Sequence, residues 1–286
     1  MQSHSSKDHT VLITGCSSGI GYTVAHGLHN RGYNVIASAR KTEDVERLRN
    51  EGLVCLQLDL DDSLSIKEAV SEIIQIGHGN LYAIFNNAGY SQPGAVEDLN
   101  RDILRQQFET NLFGLVELTN GILPIMRKQG YGRIIQNSSV LGLITMRYRG
   151  AYNASKFALE AITDTLRMEL EDTNIFVSLI EPGPIMSRFR ANAFAAYKKN
   201  IDSESSPHRE IYKKIEARLQ KQGSVAPFTL SPEAVLKKVI HALESPRPKA
   251  RYYVTIPPYL FDFAKRILST RALDWILLKV SRSEHR

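Results

Sequence analysis

The sequence predicts an α/β protein, a doubly wound parallel sheet of about seven strands with helices on both faces. Three observations carry this. Short apolar runs rich in β-branched residues alternate with helix-period segments from near the N-terminus. The first such run ends in a glycine turn that opens into a helix. The composition, 43% hydrophobic and 23% charged over 286 residues, is that of a globular chain. Strand–helix alternation favours a parallel sheet because right-handed crossovers place helices on each face in turn.

Thr10–Thr14 (TVLIT) reads as the first strand. Ile20, Val24 and Leu28, with the small Ala25 and Gly27, mark a helix over Ile20–Asn30 that can pack closely. Val35–Ala39 and Leu53–Leu58 read as strands flanking a helix at Glu43–Asn50. Ser63 is expected to cap a helix carrying Ile66, Val70, Ile73 and Ile74. Leu81–Phe85, Arg133–Gln136 and Ile175–Ile180 are further strands, with long helices over Arg101–Lys128 and Ala151–Leu170 between them. Met186–Gly223 is helical in composition, broken by a polar stretch at Asp202–Arg209. Ser231-Pro232-Glu233 is a helix start, and Tyr252–Ile256 reads as a last strand. Neither an internal repeat nor a low-complexity linker occurs before residue 185, so one domain over residues 1–286 is expected.

Composition excludes several classes. Cys16 and Cys55 cannot make a disulfide scaffold, and no Cys/His cluster has zinc-ligand spacing, so no metal is expected. The polar start Met1–Thr10 has no apolar core of a secretion signal, and no run of 18 apolar residues exists; a reducing cytoplasm is expected. The net charge of +6 lies entirely in Arg247–Arg286, which holds nine Lys/Arg against three acids. A body with balanced charge is not expected to bind nucleic acid.

Three constellations carry chemistry. Thr14-Gly15-Cys16-Ser17-Ser18-Gly19-Ile20-Gly21 lies where a strand hands over to a helix. Its glycines let a pyrophosphate approach the backbone at a helix N-terminus, which points to dinucleotide binding on a Rossmann-like sheet. The spacing, Gly-x₃-Gly-x-Gly, is neither GxGxxG nor an ATP-binding P-loop. Ala39 occupies the second-strand end where an NAD site usually has an acid, and Arg40 and Lys41 follow. A guanidinium binds a 2′-phosphate and a carboxylate repels one, so NADP(H) is expected over NAD(H). Tyr152 and Lys156, four apart, share one helix face. A nearby ammonium, and a cationic oxidised nicotinamide, are expected to lower the phenol pKa and make Tyr152 an acid/base group. Ser139, at the end of another strand, can donate to a developing oxyanion.

Together these elements resemble the short-chain dehydrogenase/reductase family in its single-domain branch, over about residues 10–255. Thr14–Gly21 is similar to the family's TGxxxGIG turn, and Asn86-Asn87-Ala88-Gly89 to its NNAG stretch. The resemblance implies a cofactor site of Gly15, Ser17, Ser18, Gly19, Ile20, Gly21, Arg40, Lys41, Asp59, Leu60, Asn87, Ala88, Gly89, Tyr152, Lys156, Pro182, Gly183 and Ser187. Asp59 resembles the acid at the adenine ring, and Ser187 replaces a frequent threonine. It implies a catalytic set of Asn111, Ser139, Tyr152 and Lys156 that interconverts an aldehyde or ketone and its alcohol by hydride transfer. Tyr152 would move the proton, Lys156 would hold the nicotinamide ribose and tune Tyr152, Ser139 would polarise the substrate oxygen, and Asn111 would hold a water linking Lys156 to solvent. Details such as GCSSGIG, ASARK and LIEPGPI are most similar to aldehyde reductase and retinol/17β-hydroxysteroid dehydrogenase-like members. The expected partner is a small, hydrophobic carbonyl or alcohol, and the chain is expected to form a homodimer or homotetramer.

Alternatives remain open at this level: an NADP(H)-sensing protein without turnover, or a membrane-peripheral retinol/steroid dehydrogenase. Residues 185–230 are expected to form a substrate lid, in which Phe189, Phe194 and Tyr197 suit either core or cavity wall. The apolar, basic tail over residues 258–286 is expected to pack on the body, with a subunit interface or a membrane surface as lesser alternatives. Cys16 is expected to be a small filler rather than a redox-sensitive thiol.

Overall fold

The computed structural model describes residues 9–221, 223 and 226–284. Residues 1–8 of the polar start, three residues of the segment expected to form a lid (222, 224 and 225) and the last basic residue, Arg286, lie outside them.

Seven parallel strands form one sheet in the order β3-β2-β1-β4-β5-β6-β7. They are β1 (Thr10–Ile13), β2 (Asn34–Ala39), β3 (Val54–Gln57), β4 (Ala83–Asn86), β5 (Gly132–Asn137), β6 (Ile175–Pro182) and β7 (Arg251–Val254). Successive side chains point to opposite faces, and both faces are buried. Val11 and Ile13 enter one core beside helix α1 (Gly19–Asn30), whereas Leu12 enters the other beside α3 (Ser63–Ile76). Strands buried on both sides therefore read as continuous apolar runs. The order reverses between β1 and β4, which opens a crevice beyond their C-terminal ends. A short α2 (Thr42–Asn50) joins β2 to β3.

The structure corrects three local expectations. Asp62, not Ser63, caps α3, its carboxylate accepting from Leu64 N at 2.9 Å, while Ser63 Oγ donates to Glu117. The expected single helix over 101–128 is α4 (Arg101–Phe108), a π-helical turn (Glu109–Phe113) and α5 (Gly114–Gln129). After α6 (Gly150–Glu169) the segment expected to form a lid folds as α7 (Phe189–Asn200) and α8 (Arg209–Gln220), separated where the polar stretch was read. The Ser-Pro-Glu start opens α9 at Glu233 (Glu233–Glu244), one residue later than expected. The tail folds as two helices, α10 (Ile256–Ile267) and α11 (Thr270–Glu284). Among the described residues, no helix is long and apolar enough to cross a membrane.

Candidate active site

The C-terminal ends of β1, β2, β4, β5 and β6 border one cleft of about 1340 Å³. The glycine turn forms its floor. Gly15 (φ +70°) and Gly19 (φ +61°) adopt the left-handed conformation that only glycine takes without strain. A Cβ on Gly15 would lie 2.8 Å from the Ala88 backbone, and one on Gly19 2.8 Å from Ser187 Cβ. The expected Cys16 filler is buried, its thiol held up by desolvation and donating to the Ile13 carbonyl. Ser18, the residue before α1, makes no side-chain cap, so no hydroxyl covers the first-turn N–H groups. This cradle at a positive helix end fits a pyrophosphate.

A hydrogen-bond chain ties that floor to the opposite wall. Thr14 Oγ1 accepts from Asn87 N and Ala88 N, and Asn87 Nδ2 donates to the carbonyls of Thr14 and Gly15. Asn137 Nδ2 donates to Asn87 Oδ1 at 2.9 Å, and Lys156 Nζ donates to the Asn137 carbonyl at 2.7 Å. Lys156 is 5% exposed, and burial lowers its pKa to about 8 despite the charge of Glu160 one turn on. Its Nζ lies 5.7 Å from the centre of the Tyr152 ring. The phenol is also buried, and desolvation pushes it up to about 12, the Ser139 hydroxyl and Arg149 acting the other way. From the protein's own groups alone the phenol is not lowered: desolvation outweighs the contributions of Ser139 and Arg149.

Of the residues read as a site from the sequence, Gly21 and Asn111 do not border the cleft. Gly21 sits under the turn, where a Cβ would strike the Gly15 carbonyl. Asn111 is fully buried in the π-helical turn. Its Oδ1 accepts from Tyr90 N (3.0 Å), and its Nδ2 donates to Tyr90 O (2.9 Å) and Ser155 Oγ (3.1 Å). Its side chain thus fixes the loop after β4 against α6. Every other expected residue, including Arg40, Lys41, Asp59, Leu60, Gly89, Pro182, Gly183 and Ser187, lines the cleft. Among the described residues, the exposed Arg40 guanidinium has no ion pair.

Sequence reasoning missed Asn137, whose contribution to Lys156 comes from a backbone carbonyl any residue could supply. It also missed Tyr90, which receives Asn111; the spacing to NNAG was the available signal. The lid aromatics divide. Tyr197 is core with Tyr212, Ile215 and Leu219, and Phe194 packs against that cluster. Phe189 lines the cleft and meets the Tyr152 ring edge-on, centroids 5.5 Å apart. Leu141, Ile144, Met146 and Phe261 cluster with Tyr152 and, with Phe189, give the cleft an apolar patch around the phenol. Among the described residues no cluster of His, Cys, Asp or Glu could hold a metal.

The family model for short chain dehydrogenase matches residues 9–198. The chain is 45% identical over 268 residues to the uncharacterized oxidoreductase YbbO of Escherichia coli (strain K12), covering 94% of this chain and 93% of that one. It is 34% identical over 278 residues to an NADPH-dependent 3-dehydrocapnine reductase of Ornithobacterium rhinotracheale, covering 94% and 95%. A crystal structure of a short-chain dehydrogenase from Streptomyces avermitilis superposes with a TM-score of 0.75 at 26% identity, covering 98% and 99%.

Proposed function

The chain belongs to the short-chain dehydrogenase/reductase family of oxidoreductases, whose members bind a nicotinamide cofactor, and we propose that it is an NADP(H)-dependent enzyme interconverting a lipophilic aldehyde or ketone and the corresponding alcohol. One observation carries the reading: Tyr152, Lys156 and Ser139 share a cleft with the Gly15–Gly19 cradle. The bound nicotinamide would supply or accept the hydride at the substrate carbon. Tyr152, protonated in its buried setting, gives its phenolic proton to the carbonyl oxygen during reduction and takes it back in the reverse direction. Ser139 donates to the same oxygen and holds the carbonyl toward the phenol. Lys156, anchored on the Asn137 carbonyl, keeps further N–H donors for the ribose hydroxyls. The π-helical turn gives Asn111 a positioning role, holding Tyr90 and α6 in register.

Preference for NADP(H) is supported by Ala39 at the end of β2, where no carboxylate faces a 2′-phosphate, and by Arg40 and Lys41 beside it at the cleft. The apolar patch around Tyr152, with Phe189 edge-on to the phenol ring, supports a hydrophobic substrate. On this reading residues 1–286 act as one catalytic domain in a reducing cytoplasm, where the buried Cys16 and Cys55 stay as thiols.

The deciding experiment follows consumption of NADPH and NADH over a panel of aldehydes, ketosteroids and retinal. The expected result is NADPH-dependent reduction. Tyr152→Phe should bind NADPH and lose about 10²–10⁴-fold in turnover, and Arg40→Asp should shift preference toward NADH. Tight NADPH binding with silence toward every carbonyl and alcohol would sink the enzyme reading and favour a sensor.

A further inference from the structure

The C-terminal helices pack by one face only. On α10, Pro257 and Phe261 line the cleft and Pro258 is buried. On α11, Leu277 is buried, and Leu273 and Val280 pack with it on the cluster that contains Tyr152. The expected packing of the tail on the body is therefore met by these inner faces. The outer faces are different. Ile256, Tyr259, Leu260, Phe263 and Ile267 fall at helical spacing in one stripe along α10, each between 48% and 64% exposed. On α11, Trp275 is 59% exposed and Leu278 37%, at helical spacing from Arg271, Lys279 and Arg282. Lys279 Nζ sits 3.5 Å over the Trp275 ring. On α10, Lys265 Nζ turns inward and lies 4.9 Å over the Phe157 ring of α6, and Arg266, beside the stripe, pairs with Asp262. Residues 256–282 hold five cations against two carboxylates.

We propose that this outer face docks the protein on the surface of an anionic phospholipid bilayer. An apolar stripe flanked by cations, with Trp and Tyr among them, matches the acyl–headgroup boundary, where side chains meet hydrocarbon and ammonium and guanidinium groups meet lipid phosphates. A second copy of the chain fits less well. A two-fold pairing of this face would set Arg271, Lys279 and Arg282 of one protomer against the same three of its partner. Docking here sets the lipid against the outer face of α10, whose inner residues Pro257 and Phe261 line the cleft, so a lipophilic substrate dissolved in the bilayer would lie close to that wall of the cleft. That consequence rests on the reductase reading; the docking itself rests on the surface alone.

Co-sedimentation of the full chain with phosphatidylcholine vesicles, with and without phosphatidylglycerol, tests the proposal. The chain should pellet with the anionic vesicles, stay in solution with the neutral ones, and be released by high salt. Two paired variants, Leu260→Asp with Phe263→Asp and Arg271→Glu with Lys279→Glu, should each weaken vesicle binding by about tenfold or more. Both pairs are exposed and outside the cleft lining, so melting temperature and NADPH-dependent turnover of a short water-soluble aldehyde should be unchanged, while turnover of a long-chain aldehyde carried in the vesicles falls. A chain that stays in solution with anionic vesicles, or binds neutral ones equally, overturns the proposal. So does sedimentation equilibrium in which the α10 pair turns a dimer into a monomer, which would assign the face to a second copy. Vesicle binding without turnover of any carbonyl leaves the docking standing and removes the reductase reading; turnover without binding does the reverse.

Discussion

Lys156 Nζ reaches from α6 to the end of β5, where it donates to the carbonyl of Asn137 at 2.7 Å. One backbone acceptor is thus supplied to a cation that is 95% removed from solvent. Partners beyond it are a carbonyl's dipole and the more distant charge of Glu160, too little to offset the lost hydration.

Lys156→Met should therefore stabilise the cofactor-free protein while abolishing turnover. The folded-state pKa of about 8 lies below the ordinary 10.5, so at neutral pH the folded state carries a disfavoured charge, a penalty relieved only as pH rises from about 8 toward 10.5. The shift corresponds to about 3 kcal/mol, and loss of the bond to Asn137 returns about 1, leaving a gain on the order of 2 kcal/mol at pH 7. Urea unfolding of both proteins at pH 7 and pH 10 checks it. A gain that fails to shrink at the higher pH would count against the buried-cation account.

The strands and the cleft rim were legible because their signals are local. A parallel strand buried on both sides is apolar throughout, as in Val11-Leu12-Ile13, and a glycine turn such as Gly15–Gly19 shows its backbone demand in its residue types. The π-helical turn at Glu109–Phe113 was not legible, since one added residue per turn leaves composition unchanged and only slides the apolar period. The direction of the Tyr152 shift was not legible either. It depends on burial by Leu141 and Ile144, from the segment after β5, and by Phe189, from the start of α7. Spacing shows which residues share a face but not how dry that face becomes.

Gly19→Ala should cost about 2 kcal/mol of stability, combining a left-handed backbone with a Cβ set against Ser187. NADPH binding should weaken with it, because the same turn forms the helix end. Adding Ser187→Gly removes the opposing Cβ, and the double variant should recover the steric share but not the share due to φ. Melting curves and calorimetric titration of the two single variants and the double one measure the coupling. Strict additivity would show that the contact at 2.8 Å does not matter.

The pH profile of kcat/KM for NADPH should be set by Lys156 rather than Tyr152. With a phenol near 12 and an ammonium near 8, the first proton lost on raising the pH is the lysine's, so the profile should be flat at neutral pH and decline above about 8. Lys156→Arg keeps its charge throughout and should move that limb out of range, even if the absolute rate falls. A limb that stays in place in the arginine variant would assign it to another group.

Arg251 stands between two buried carboxylates. Its Nη1 bonds Glu160 and, at 2.5 Å, Glu181, and its Nη2 bonds Asp164 at 2.6 Å. Glu181 is wholly buried, and desolvation together with the Glu160 charge holds its carboxyl well above the usual range. Glu160 also accepts from Ser138, beside Ser139, so the cluster underlies the wall that carries the hydroxyl. Removing the cation by Arg251→Met leaves the carboxylates facing one another, a loss of about 3–5 kcal/mol for a broken buried pair. The loss should itself depend on pH. A carboxyl whose folded pKa is raised stabilises the fold while protonated and loses that contribution as pH climbs through the folded value. Without the guanidinium Glu181 loses the charge that opposes its desolvation and shifts further up, so the variant should lie much closer to the parent at pH 5 than at pH 8. Urea unfolding at those two pH values decides the matter: a deficit equal at both would mean that Arg251 acts through packing of its side-chain stem and not through its charge.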